Sequence, residues 1–212
     1  MNIIILDYGI GNVQSIKNAL KIFGIKGILS SDRDDILKAD GVIFPGVGAF
    51  KKAMMELRSR GLDETIKQYI KTKKPLLGIC LGMQLLFDSG EEFGKSKGLG
   101  ILQGNVWKLP ILDDEKLPNI GWNPLIKSDI SWSNTVLDNV TINENMYFIH
   151  SYVCNPLDKS IVLANAKYGN ISFCASLKYN NIYGCQFHPE KSSTAGLKVI
   201  ENFINIVHQE QL

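Results

Sequence analysis

Residues 75–84 have the sequence Pro-Leu-Leu-Gly-Ile-Cys-Leu-Gly-Met-Gln. The apolar run Leu76 to Ile79 predicts a buried strand, and Met83 to Phe87 continue with helical spacing. A nucleophile at a sharp turn between a strand and a helix is the geometry of a nucleophile elbow. Cys80 at this turn stands at a helix N-terminus, where the helix dipole favours a thiolate. The alternative is a small buried cysteine that only fills the core.

A second stretch that contains candidate catalytic side chains is residues 184–193, Gly-Cys-Gln-Phe-His-Pro-Glu-Lys-Ser-Ser. Pro189 favours an extended conformation at His188, and side chains two residues apart in an extended segment point to the same side. We therefore expect the Glu190 carboxylate to orient the His188 imidazole as the proton partner of an activated thiol. His150 is a rival partner, although no acidic residue lies two positions from it.

Composition narrows the class of protein. A chain of 212 residues with 45% hydrophobic and 21% charged residues predicts a globular protein, most simply one domain over residues 1–212, with two small domains as the alternative. The 23 Lys and Arg nearly balance the 21 Asp and Glu, which argues against nucleic acid or an anionic membrane as a partner. Four cysteines without C-x-x-C spacing give no zinc or redox motif, and no metal is expected. No signal peptide or membrane span is apparent, so we expect a cytoplasmic protein.

The order of the patterns predicts an α/β fold. Buried parallel strands are expected at Ile3–Leu6, Gly27–Ser30 and Gly41–Phe44, with helices between them. Asp88–Lys95 is charged and contains glycine, which predicts a surface loop. From Leu99 onward short apolar runs alternate with turns, which predicts added and partly antiparallel strands before a final amphipathic helix.

Two glycine-bearing loops follow strands of the first half. Residues 45–50, Pro-Gly-Val-Gly-Ala-Phe, come directly after the Gly41–Phe44 strand. A free backbone N–H in such a loop can donate to a developing oxyanion, and the alternative is an ordinary strand-to-helix turn. The Asp7–Asn12 loop lacks the further residues of a phosphate-binding motif, but it borders the edge of the sheet where ligands bind.

The residues around Cys80 and His188 resemble the class I, triad-type glutamine amidotransferases. The resemblance covers Ile3 to Val207 and implies a flavodoxin-like fold with a mixed sheet. The blocks 7–12, 45–50 and 121–123, with Met83 after the elbow, resemble the glutaminase subunits of imidazole glycerol phosphate synthases. One departure is Asn119-Ile120, where many members carry His-Met in a segment that tends to face the partner.

The resemblance implies roles for particular residues. Cys80 is then the nucleophile, His188 the general base and acid, and Glu190 the residue that orients it. The backbones of Val47 and Leu81 match the oxyanion hole. The positions that match the glutamine pocket are Gly48, Gln84, Glu92, Ser151 and Tyr152. Trp122, Asn123 and Lys191 are expected at the partner interface, although Trp122 in the core is an equal alternative.

The implied activity is hydrolysis of glutamine to glutamate and ammonia through a cysteine thioester, without a cofactor. The family delivers ammonia to a separate (β/α)8 barrel cyclase that makes imidazole glycerol phosphate and aminoimidazole carboxamide ribonucleotide, so a heterodimer is expected. Three alternatives stay open: a paralogous glutaminase serving a synthase that modifies a bacterial surface sugar, a stand-alone cysteine hydrolase, and an inactive interaction subunit.

Overall fold

The structure, a computed structural model, describes residues 1–110 and 115–210. Its strands are β1 Ile3–Leu6, β2 Ile28–Ser30, β3 Gly41–Phe44, β4 Leu76–Ile79, β5 Phe87–Gly90, β6 Ser96–Lys97, β7 Leu102–Lys108, β8 Asn119–Pro124, β9 Ile126–Lys127, β10 Asn145–His150, β11 Tyr152–Pro156, β12 Val162–Tyr168, β13 Ile171–Tyr179 and β14 Ile182–Cys185. Its α-helices are α1 Val13–Ile22, α2 Arg33–Lys38, α3 Phe50–Ser59, α4 Leu62–Lys71, α5 Leu81–Leu85 and α6 Ser193–Gln209, and two short 3-10 helices span Lys159–Ile161 and Pro189–Lys191.

The main sheet has eight strands in the order β2-β1-β3-β4-β14-β13-β12-β9. The first five are parallel and follow the order of flavodoxin-like sheets. The last three are antiparallel to their neighbours. Two smaller sheets pair β10 with β8 and join β11-β7-β5-β6. The predicted mixed α/β sheet with antiparallel strands from the second half is therefore confirmed.

The inner parallel strands β1, β3 and β4 are buried along their whole length because both faces of the sheet are covered there. Ile3 and Ile5 of β1 belong to the core on one face, which also contains Phe203 of α6. Ile4 and Leu6 belong to the core on the other face, with residues of α3 and α4. Burial on both sides holds the sheet as a rigid platform for the loops at its edge.

Glycines let the elbow helix α5 sit directly on the sheet. Gly78 of β4 and Gly184 of β14 are opposite each other in the parallel register, and a Cβ on either would lie 2.8 Å from an atom of Met83. A Cβ on Gly82 would lie 1.8 Å from the carbonyl oxygen of Phe44. Only residues without a Cβ permit this approach of α5 to the strands.

Two local predictions are wrong. The expected helix through Phe87 ends at Leu85, and residues 88–90 of the expected surface loop belong to strand β5, which pairs with β6 and β7. Among the apolar runs after Leu99, residues 146–153 form β structure as expected, but they are divided between two sheets, because β10 pairs with β8 whereas β11 pairs with β7. Both errors come from pairing with distant segments, which local periodicity does not report.

No helix within residues 1–110 and 115–210 combines the length and the apolar character needed to span a bilayer.

We predict that Gly82→Ala lowers the free energy of unfolding by about 3 kcal/mol or more, because its Cβ must displace backbone atoms of β3. Gly94→Ala is the matched control. Gly94 has a positive φ of 93°, which disfavours alanine, but no atom lies within 4 Å of its added Cβ. Urea unfolding of both variants checks the prediction, and a smaller loss for Gly82→Ala than for Gly94→Ala would contradict it.

Candidate active site

Cys80 lies at the turn between β4 and α5. Its φ of 52° is in the left-handed region, which a non-glycine residue adopts only when its surroundings enforce it. The Cys80 side chain is 6% exposed and lines a cavity of about 310 Å³. The elbow geometry predicted from residues 75–84 is present, but α5 has only five residues, so its dipole contributes little to the thiolate.

His188 and Glu190 follow β14 and lie beside the elbow. His188 Nδ1 is 2.8 Å from Glu190 Oε1, and both side chains are almost completely buried. His188 is extended, as predicted, with φ −100° and ψ 96°. The expected strand-like alternation is wrong, because Pro189–Lys191 form a 3-10 turn that brings the carboxylate back to the ring. The ring donates from Nδ1 to the carboxylate, and Nε2 has no hydrogen-bond partner among the described residues.

The electrostatics favour a protonated His188. Burial opposes the charge on the ring, but the nearby Cys80 and Glu190 outweigh burial and raise the pKa of His188 to about 10. A neighbouring cation favours the thiolate form of a cysteine. The other three cysteines are also free, and burial raises the pKa of each, to about 12 for Cys174. They do not line this cavity.

The cavity collects nearly all the residues that the sequence predicted for the pocket. Its predicted members are Val47, Gly48, Cys80, Leu81, Gln84, Glu92, Ser151, Tyr152 and His188. Glu190 stands behind His188 and does not line it. The lining residues that sequence reasoning missed are Ala49, Pro118 and Ile149, and His150, predicted as a rival proton partner, also lines the cavity.

The loop that carries Val47 is fixed at both ends. At its start, the Tyr8 hydroxyl donates to the Pro45 carbonyl over 2.7 Å, and burial followed by the nearby Cys80 raises the pKa of Tyr8. At its end, the Phe50 N–H donates to Glu92 Oε2 over 2.7 Å. Sequence reasoning missed Tyr8, although the Asp7–Asn12 block contains it. Through the Tyr8–Pro45 hydrogen bond, the Asp7–Asn12 block supports the loop that carries Val47.

His150 is held as a neutral ring. Its Nδ1 lies 3.1 Å from the Tyr152 carbonyl oxygen, so Nδ1 carries the proton, and Nε2 accepts from Asn119 Nδ2 at 3.2 Å. Burial lowers the pKa of His150 to about 4. Both nitrogens are occupied, so His150 is a poor rival to His188. In the Asn119-Ile120 segment, Asn119 is buried whereas Ile120 is exposed.

Two buried amides connect the cavity wall to the nucleophile. Gln84 Nε2 donates to the Tyr152 carbonyl at 3.0 Å and to Gln186 Oε1 at 2.9 Å. Gln186 Nε2 donates to Cys80 Sγ at 3.5 Å. Sequence reasoning missed Gln186, and the signal for it is its position two residues before His188 in the same stretch.

The three predicted interface residues have different environments. Trp122 is 52% exposed, so the core interpretation is wrong. Its ring packs edge-on against Tyr147 at 5.8 Å, and Lys191 Nζ lies 5.9 Å from the same Tyr147 ring. Asn123 alternates with Trp122 along β8, and its Nδ2 donates to the Lys167 carbonyl. We call Trp122, Tyr147 and Lys191 the aromatic cluster.

Within the described parts of the chain, no group of three or more His, Cys, Asp or Glu side chains is placed to hold a metal ion.

The family model described as "Glutamine amidotransferase class-I" matches residues 4–207. The chain is 41% identical to "Imidazole glycerol phosphate synthase subunit HisH 1" of Legionella pneumophila (strain Lens) over 208 residues, which cover 95% of this chain and 98% of that protein. It is 44% identical over 204 residues to the HisH subunit of Dehalococcoides mccartyi (strain CBDB1), with coverage of 96% and 97%.

Solved structures share the fold at low identity. A glutamine amidotransferase of known structure has a TM-score of 0.73 at 18% identity, covering 97% of this chain and 98% of that one. PurLQS from Thermotoga maritima has a TM-score of 0.73 at 18% identity, with coverage of 96% and 97%. These likenesses support the fold and carry no argument about substrate.

We predict that the imidazole of His188 titrates near pH 10 and that of His150 near pH 4. Cys80→Ala should lower the His188 midpoint, because it removes the sulfur that favours the imidazolium. NMR titration of the ring nitrogens measures both midpoints. An unchanged His188 midpoint in Cys80→Ala would contradict this electrostatic account.

The same shift has a consequence for stability. The pKa of His188 in the folded protein lies above its ordinary value of 6.5, so its stabilising contribution is complete below about pH 6.5 and is lost as the pH rises towards 10. The difference in unfolding free energy between the parent and His188→Gln should therefore shrink over that interval. A difference that grows with pH would have the wrong sign.

Proposed function

The chain belongs to the class-I glutamine amidotransferase family, and on that premise we propose that it is a glutaminase subunit supplying ammonia to a partner cyclase in histidine biosynthesis. The observation that carries this proposal is that Cys80 and His188 line one cavity and that Glu190 is hydrogen-bonded to His188 from behind. The relatives named as subunits of imidazole glycerol phosphate synthase match almost the whole chain and support the same pathway.

The proposed chemistry is acyl transfer through sulfur. The Cys80 thiolate attacks the side-chain amide carbon of glutamine, and His188 delivers its Nε2 proton to the departing nitrogen, which leaves as ammonia. His188 then takes a proton from water, which attacks the thioester carbon and releases glutamate and the thiolate. The buried Glu190 carboxylate holds Nδ1–H and thereby keeps Nε2 directed at the reacting atoms.

Backbone donors are proposed for the oxyanion. Leu81 is the first residue of α5, so its N–H has no partner within the helix. The second donor is the Val47 N–H, on the loop held by Tyr8 and Glu92. Each donor at an oxyanion contributes roughly 3 kcal/mol to lowering the barrier.

Glutamine is proposed to bind in the cavity with hydrogen-bond or charge partners for its polar groups. Glu92 lines the cavity and supplies a carboxylate for the α-ammonium group. Gln84 uses both amide hydrogens internally, so its Oε1 is left as an acceptor for the substrate. Gly48, Ser151 and Tyr152 complete the wall.

The partner is proposed to be a separate (β/α)8 barrel cyclase that binds the aromatic cluster. The ring-forming lyase chemistry is assigned to that second subunit. Exposed apolar side chains extend the cluster, because Ile120 and Ile149 are opposite each other in the β8–β10 register next to the Trp122–Tyr147 pair. Asn123, whose side chain lies on the other face of β8, stays a predicted contact.

Contacts between the aromatic cluster and the triad support partner-dependent activity. The His188 N–H donates to the Tyr147 carbonyl over 2.9 Å, and the Tyr147 N–H donates to Ser192 Oγ. Lys191 directly follows Glu190 in the same 3-10 turn. A partner that shifts Tyr147 or Lys191 therefore acts on the backbone that positions the triad.

The alternatives are less well supported. A glutaminase for a surface-sugar synthase fits the same cavity, but the named relatives favour the histidine pathway. A stand-alone cysteine hydrolase needs no partner, so that function does not explain why the aromatic cluster is exposed. Four free cysteines support the prediction of a reducing, cytoplasmic location.

We predict that Cys80→Ala abolishes glutamine-dependent synthesis by the complex and leaves ammonia-dependent synthesis intact, because Cys80 only generates ammonia. Assays of the complex with glutamine or with ammonium salt measure the two reactions. Cys154→Ala, a buried cysteine outside the cavity, is the matched control and should retain both. Loss of the ammonia-dependent reaction in Cys80→Ala would refute this division of labour.

We predict that Trp122→Ala weakens association with the cyclase by about 2 kcal/mol, roughly thirtyfold in Kd, because exposed tryptophans anchor interfaces. Trp107→Ala is the matched control, since Trp107 is 42% exposed on a different sheet. Calorimetric titration gives Kd, and thermal melting shows that each variant folds. Equal affinities for the two variants would exclude Trp122 from the interface.

A further inference from the structure

We infer that Gln186 is a further catalytic residue, whose side-chain amide donates a hydrogen bond to the Cys80 sulfur and stabilises its thiolate. The inference rests on the proposed glutaminase function, because it assigns a role in the same reaction. Its basis is the directed chain of hydrogen bonds from the Tyr152 carbonyl through Gln84 and Gln186 to Cys80 Sγ.

The donor-to-acceptor direction of this series of hydrogen bonds is fixed at the Tyr152 carbonyl. The Tyr152 carbonyl can only accept, so Gln84 must present its NH2 group there. The same NH2 group faces Gln186, which must therefore present its Oε1. The Gln186 NH2 group is then directed at Cys80 Sγ. The reverse orientation of Gln186 would place two NH2 groups against each other and an oxygen against the sulfur.

Because Gln84 and Gln186 are buried, their amide groups must find hydrogen-bond partners within the protein. The Gln186 side chain is 0% exposed, and Gln84 is 5% exposed. A buried amide without partners is unfavourable, so each amide depends on the next for its hydrogen bonds. The backbone N–H of Gln186 also donates to the Ala175 carbonyl over 2.8 Å, which holds the residue against β13. The donor is thus pre-positioned before substrate arrives.

A neutral amide at the sulfur has an effect that His188 does not supply. His188 gives up its proton to the departing nitrogen and takes one back from the attacking water, so the charge on its ring changes during the cycle. Gln186 has no transferable proton at neutral pH and remains a donor throughout. When water attacks the thioester carbon, the carbon–sulfur bond breaks and its electron pair passes to Sγ, where the Gln186 hydrogen bond stabilises the leaving thiolate.

The test uses Gln186→Met, which keeps the length of the side chain and removes the donor. The pH dependence of Cys80 alkylation by iodoacetamide, followed by mass spectrometry of the modified peptide, reports thiolate formation without any glutaminase assay. We expect the midpoint of alkylation to move to higher pH. In the complex with the cyclase, kcat for glutamine hydrolysis should fall roughly tenfold to a hundredfold, as for loss of a hydrogen bond to a charged group, with little change in KM.

Ser176→Ala is the matched control for burial on the same strands. Ser176 is also 0% exposed, but its hydroxyl donates to the Gly184 carbonyl and not to the Cys80 sulfur, which receives the Gln186 amide. It should keep the alkylation midpoint and kcat of the parent. A shift of equal size in Ser176→Ala would mean that both variants act through general destabilisation, which overturns the assignment.

Gln186→Glu provides a second variant of the same shape. Its carboxylate accepts from Gln84 but presents an oxygen to the sulfur, so the midpoint should rise above that of Gln186→Met. If Gln186→Met does not fold, Gln186→Leu, which also removes the donor without adding a charge, takes its place. A folded Gln186 variant with the midpoint of the parent overturns the inference. A parent that alkylates normally but hydrolyses no glutamine, with or without partner, instead refutes the proposed function.

Discussion

Ile79 of β4 lies opposite Cys185 of β14, and the Cys80 N–H donates to the Cys185 carbonyl across this parallel pair. Parallel strands end at the same edge of a sheet, so the residues that follow them meet there. Cys80 follows β4 and His188 follows β14 at a short distance. This pairing joins two segments more than 100 positions apart in the sequence. The antiparallel strands β13, β12 and β9 are attached to the parallel sheet through β14.

The platform keeps these residues in place because polar groups behind the site are satisfied in the interior. Glu190 is buried against His188, and Gln84 and Gln186 complete each other's hydrogen bonds. Buried polar networks of this kind specify one arrangement, since each alternative orientation leaves an unpaired group. The left-handed backbone at Cys80 is another demanding feature, and it is tolerated because α5 is pressed onto the sheet over Gly78 and Gly184.

The exposed face of the β8–β10 sheet is connected to this interior through backbone contacts. Tyr147 contributes its ring to the aromatic cluster and its carbonyl to the His188 N–H. The same strand ends at His150, whose neutral ring lines the cavity. The exposed face proposed to bind the partner and the wall of the cavity are therefore parts of one small sheet, so the path from the proposed interface to the triad is short.

Local pattern predicted much of this molecule. Continuous apolar runs predicted β1, β3 and β4 because strands buried on two faces have no polar positions. The short stretches around Cys80 and His188 contain the residues that predicted the turn at Cys80 and the extended backbone at His188. The sequence could not place Phe87–Gly90 in a strand or divide Met146–Val153 between two sheets, since both outcomes depend on pairing with distant strands.

The exposure of Trp122, the burial of Asn119 and the aim of the Gln186 amide belong to the tertiary structure alone. Each depends on which side of a strand faces the core and on partners far away in the chain, and a side chain's own type carries no record of either. Residue identity determined what chemistry was present, and strand pairing decided which of those residues met.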